Sequence, residues 1–67
     1  GKAIIQFKKA LKRRPRHSDG LFGLGYAYEK QGAARNAMNA YDRYLRYHPK
    51  GRKSLMIRAR LKQLRPK

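Results

Sequence analysis

Apolar residues recur along this chain every three or four positions, and the recurrence is broken three times. Ile4, Phe7 and Leu11 share one helical face and predict a first helix from about Lys2 to Arg13. Leu21, Leu24, Ala27 and Tyr28 predict a second, running to about Gln31. Ala37, Met38, Tyr41, Tyr44 and Leu45 predict a third, from about Ala34 to Tyr47. Leu55, Ala59, Leu61 and Leu64 predict a fourth, from about Arg52 to Leu64. The expected fold class is all-α, four antiparallel helices joined by short turns.

The breaks have local causes. Arg14 precedes Pro15, whose ring pushes it out of the α region and ends the first helix. His17 or Ser18 is placed to cap the second helix, and Asp19 sits in its first turn, where a carboxylate suits the positive end of the dipole. Gly32 is the expected left-handed stop of that helix. Pro49 and Gly51 interrupt the chain again before the fourth helix. On the third helix Asp42 and Arg46 form an i,i+4 pair of opposite charge.

Charge changes the picture more than any other compositional feature. The 67 residues hold 19 Lys and Arg against 3 Asp and Glu, a formal charge of +16. Residues 1–17 contribute +7 through Lys2, Lys8, Lys9, Lys12, Arg13, Arg14 and Arg16, with no acid. Residues 50–67 contribute +8, again with no acid, while residues 18–49 are almost neutral. There is no cysteine, which excludes disulfide staples and thiolate chemistry and leaves the compartment open. No apolar run approaches the ~18 residues needed to span a bilayer.

Within the central stretch Leu21, Leu24, Gly25 and Tyr28 are spaced L-x-x-L-G-x-x-Y, followed by Ala37 and Tyr41 as A-x-x-x-Y and then by Pro49. This pattern resembles the 34-residue tetratricopeptide (TPR) repeat. One period earlier, Ala37, Tyr41, Leu45 and Pro49 map onto Ala3, Phe7, Leu11 and Pro15; one period later, Leu21 and Gly25 map onto Leu55 and Ala59. The resemblance implies a second helix of a preceding repeat over 1–17, a complete repeat over 18–51 and a basic capping helix over 52–67. It also implies that Gly25 repays its helix-propensity cost of about 1 kcal/mol by close approach to the partner helix. Arg58 and Lys62 replace the counterparts of Leu24 and Tyr28, as expected where no further helix packs. Tyr44 stands where the family has alanine, which predicts an altered crossing of the third and fourth helices.

No catalytic constellation emerges. His17, Ser18 and Asp19 are triad residue types, but consecutive side chains diverge, and capping explains them. His17 and His48 lie in loops without further ligand types beside them, so no metal site is expected. Gly20, Gly23 and Gly25 fall inside a helix, not between strand and helix, so they are no phosphate loop. The expectation is a non-enzyme without cofactors.

Binding remains. TPR proteins use the first helix of each repeat to line a concave groove, and the resemblance places Asp19, Phe22, Tyr26 and Glu29 there, with Lys53, Met56 and Arg60 (and Gln63) on the trailing helix. One wall would be aromatic and acidic, the other basic, suiting a peptide or helix of a partner protein. The Lys, Asn and Arg clamp of chaperone-binding members is absent, so that activity is not carried over. A second class of function, binding of a nucleic acid or another polyanion, is suggested by Lys8, Lys9, Lys12, Arg13, Arg58, Lys62 and Arg65. A third is a structural or designed scaffold with a solubilising positive surface; Gln31, Asn36, Asn39 and Gln63, where related repeats often carry acids, fit that reading too. The family's packing scheme further turns Ala3, Phe7 and Ala10 inward and leaves Ile4, Ile5 and Leu11 as an uncovered edge. Another copy, or the continuation of a longer repeat protein, would be expected to cover it.

Overall fold

The computed structural model describes residues 2–65, which form α1 (Lys2–Arg13), α2 (Ser18–Lys30), α3 (Ala34–Tyr47) and α4 (Ser54–Leu64). The chain is all-α among the described residues, and each helix packs against the next, giving a slab 34 × 27 × 14 Å between Cα extremes. Two of the four spans coincide with the boundaries that the apolar spacing predicts. The other two differ at their ends, for reasons visible in the turns.

At its start α2 is capped by His17, not Ser18: the imidazole Nδ1 accepts the Gly20 N–H at 2.9 Å. At its end Gly32 takes φ +85°. The Ala33 N–H donates to the Tyr28 carbonyl at 2.9 Å and the Gly32 N–H to the Glu29 carbonyl at 3.1 Å, the paired bonds of a Schellman stop. The start of α4 is delayed to Ser54 because Gly51 to Lys53 form a turn of their own. In it the Gly51 N–H bonds to the His48 carbonyl at 3.0 Å, the Ser54 N–H to the Gly51 carbonyl at 3.1 Å, and the Lys53 N–H to the Tyr44 hydroxyl at 3.1 Å.

The core is built around two tyrosines. Tyr41 and Tyr44 are buried, together with Leu21, Leu24, Ala37, Ala40, Ile57, Leu61, Ile4 and Leu11. Glycine makes room for the rings. A Cβ on Gly25 would lie 2.5 Å from Cε1 of Tyr41, and one on Gly51 would lie 2.6 Å from the Tyr44 hydroxyl. Tyr44 thus fills the α3–α4 corner and accepts a backbone N–H that the short turn leaves over.

Three expectations are corrected. The first concerns α1, where Ile4 and Leu11 are buried and Ala3 and Ala10 exposed, the reverse of the proposed uncovered edge; of its three members only Ile5 is open, at 54%. The reason lies in α2, whose Gly20 and Gly23 leave hollows that Leu11 and Phe7 enter (3.1 Å and 2.4 Å from where Cβ atoms would stand). Large side chains fill those hollows better than alanines. The second concerns α4, where Leu55 is 81% exposed and Ala59 is exposed, while Ile57, absent from the predicted face, is fully buried beside Leu61. With α3 as its packing partner, α4 buries Ser54, Ile57 and Leu61, and Leu55 shares the open side with Arg58 and Lys62. In the third, Asp42 pairs with Arg65 at 3.2 Å across to the end of α4, not with Arg46.

Candidate functional site

Two surfaces gather the residues that could bind a partner. The first is the inner face of α2 with the start and middle of α4. Phe22 and Tyr26, one turn apart, are half-buried and meet edge to face at 6.3 Å between centroids. Phe22 also lies 6.3 Å from the ring of Tyr41 beneath it. The ammonium of Lys53 stands 4.8 Å above the Phe22 ring, and that of Lys30 stands 5.4 Å above Tyr26. Beside these rings lies an apolar hollow of about 310 Å³, lined by Ala3, Phe7, Phe22, Gly23, Tyr26 and Ala27.

The acidic and basic walls expected of this face are joined to each other. Glu29 Oε2 bridges Arg60 at 3.1 Å, while Glu29 Oε1 accepts the Tyr41 hydroxyl at 2.8 Å. Burial, and then the hydrogen bond to Glu29 and the charge of Glu29, push the Tyr41 hydroxyl up to about 12, with Arg60 acting in the opposite sense. Arg60 and Glu29 therefore tie α4 to α2, with the Arg60 side chain still 39% exposed. Asp19 and Met56 are exposed; with Lys53, which also stands over Phe22, they line a wider depression of about 690 Å³ that reaches Tyr44 and His48.

The second surface is a cleft of about 380 Å³ between α1 and α3. Lys8 and Lys12 line it from α1, and Asn36, Asn39 and Arg43 from α3. Buried Leu11, Leu24 and Ala40 lie at its floor, and Tyr28 borders it with Lys8 at 5.8 Å from the ring centroid. No carboxylate lines it.

The structure disperses the cations that the sequence grouped together. Lys8 and Lys12 face the cleft; Lys9 and Arg13, again with Lys12, line a second hollow on α1. Arg58 reaches the Pro49 carbonyl at 3.5 Å and Arg65 is bound to Asp42, while Lys62 is exposed. Arg43, Asn36 and Asn39 were absent from the sequence reading of the site. Their i, i+3, i+7 spacing, on one face of α3, is the signal that would have found them.

His17 is engaged as a helix cap, and the His48 Nε2–H donates to the Arg16 carbonyl, tying the α1–α2 turn to the α3–α4 turn. Among the described residues no three His, Cys, Asp or Glu side chains cluster as metal ligands, and no helix is long and apolar enough to cross a membrane. Comparison of the chain with protein-family models, with curated proteins and with solved structures finds no match to any of them. The likeness to TPR repeats therefore rests on the spacings within the chain itself.

Proposed function

We propose that this chain is a non-catalytic interaction module of the tetratricopeptide type, which takes a peptide segment of a partner protein across the inner face of α2. The observation that carries the reading is the apolar hollow beside Phe22 and Tyr26, whose rings hold the ammonium groups of Lys53 and Lys30 over them. Its complement is an apolar side chain flanked by carboxylates. A set of peptides with one aromatic or aliphatic anchor and acidic, neutral or basic flanks tests it by fluorescence anisotropy. The acidic-flank peptide is expected to bind best and to lose about tenfold, roughly 1.4 kcal/mol, in Tyr26→Ala. Binding that is indifferent to the anchor residue and to Tyr26 would refute it.

A second reading, polyanion binding, is favoured by one specific observation. Two of the three acids are consumed in bridges to Arg60 and Arg65, so the surface keeps nearly all of its positive charge unneutralised. A field of that size draws in polyanions from a distance and weakens with salt.

A further inference from the structure

We infer that the cleft between α1 and α3 is a binding track for single-stranded nucleic acid; this inference rests on the polyanion reading and gives it a site. Lys8 and Lys12 stand one helical turn apart, about 6 Å along α1, and Arg43 faces the same cleft from α3. Cations on both sides can hold successive phosphates of a strand lying along it. The remaining polar groups select among polyanions. Asn36 and Asn39 offer both donors and acceptors, which match base edges and sugar hydroxyls, whereas the carboxylates of an acidic peptide would use the donors alone. The half-buried ring of Tyr28 borders the cleft with the Lys8 ammonium 5.8 Å from its centroid, so a base reaching it meets an aromatic face and a cation together, a pairing suited to sequence-tolerant strand binding.

The test uses a labelled single strand of about eight nucleotides, followed by anisotropy through a salt series. Lys8→Gln, Lys12→Gln and Arg43→Gln combined remove three cations of the cleft. A control of equal charge carries Lys2→Gln, Lys50→Gln and Arg52→Gln, all exposed and none lining the cleft. Circular dichroism of both triple variants verifies folding. The cleft variant is expected to flatten the slope of log K against log salt by about 2, at ~0.7 per phosphate contact on a single strand, and the control by well under 1. Side-chain amide resonances of Asn36 and Asn39 are expected to shift on titration. Equal losses in the two variants would overturn the cleft while sparing the polyanion reading. Absence of any salt-dependent binding would sink both. Full competition by polyglutamate at equal charge concentration, or tighter binding of a duplex than of the strand, would overturn the assignment to single-stranded nucleic acid.

Discussion

Two glycines of α2 meet aromatic rings at almost the same distance, yet alanine should be tolerated at one and not at the other. A Cβ on Gly25 would stand 2.5 Å from Cε1 and 2.6 Å from Cδ1 of Tyr41; one on Gly23 would stand 2.4 Å from Cε1 and Cζ of Phe7. Carbon contacts settle near 3.5–4.0 Å, so each ring must retreat by about 1 Å. Tyr41 has nowhere to go, being 0% exposed with its hydroxyl held by Glu29 at 2.8 Å. Overpacking of that kind costs about 1–3 kcal/mol, and a strained hydrogen bond to a carboxylate adds to it, against a helix-propensity gain of about 1. Gly25→Ala should therefore lose about 1–3 kcal/mol, and Gly25→Leu more. Phe7 is half-buried, makes no hydrogen bond and borders the hollow beside Tyr26, so its ring can swing aside. There the propensity gain offsets the contact, and Gly23→Ala should stay within about 1 kcal/mol of the parent. For a chain of this size 1 kcal/mol moves Tm by about 4–8 °C, well resolved in circular-dichroism melts. A Gly25→Ala protein that melts at or above Gly23→Ala would refute the account of Tyr41 as a fixed wall.

Three more outcomes are expected. Tyr41 keeps its proton in the folded state up to about 12, while an unfolded tyrosine loses it near 10. Between these values the unfolded chain binds fewer protons, so stability from this group is full below about pH 10 and falls as pH rises toward 12, by at most roughly 2.5 kcal/mol. Tyr41→Phe should remove both that fall and the latest-titrating tyrosinate in difference absorbance, whereas an unchanged late titration would contradict the assignment. Gly51→Ala should displace the Tyr44 hydroxyl and leave the Lys53 N–H unpaired, costing about 1–3 kcal/mol in urea unfolding; Tyr44→Phe should reproduce much of that loss. Gly32→Ala should cost about 1 kcal/mol or more because φ +85° disfavours a Cβ, with Gly32→Asn losing less, and equal midpoints for all three would count against a left-handed stop.

The helices were legible because their signals are local. Pro15, Gly32 and the Pro49–Gly51 pair act on their own neighbourhoods, and α1 and α3 begin and end where the spacing places them. Which side of a helix turns inward depends on the partner. On α1 the apolar spacing marked the face that packs, Ile4, Phe7 and Leu11, while the repeat scheme turned Ala3 and Ala10 inward in place of Ile4 and Leu11; on α4 the spacing itself failed. Leu11 is drawn in by the hollow at Gly20, which period arithmetic on side chains does not register, since glycine contributes by what it lacks. Leu55 carries the right residue type in the right phase but faces the side of α4 where α3 is not. Ile57 was missed for the complementary reason: its counterpart one period earlier is Gly23, so the apolar pattern of α2 offered no precedent.

The candidate sites were half legible for a different reason, which is how scarce acids are shared out. With three carboxylates, each pairing decides where charge survives. Glu29 is spent on Arg60 and Tyr41, which leaves the inner face an aromatic pair with ammonium groups over its rings. Asp42 pairs with Arg65 at the surface, which offsets part of the charge at that end of α4. The α1–α3 cleft receives no acid at all, so Lys8, Lys12 and Arg43 stay unneutralised at close quarters. Such self-repulsion destabilises the compact state, and a ligand that supplies the missing negative charge to the folded arrangement stabilises it by mass action. Screening by salt and occupation of the cleft both relieve the repulsion, but with opposite dependence on each other: added salt should raise Tm of the free protein and lower Tm of the protein saturated with a single strand. The two curves converge at high salt if the charge of the cleft is what the strand neutralises.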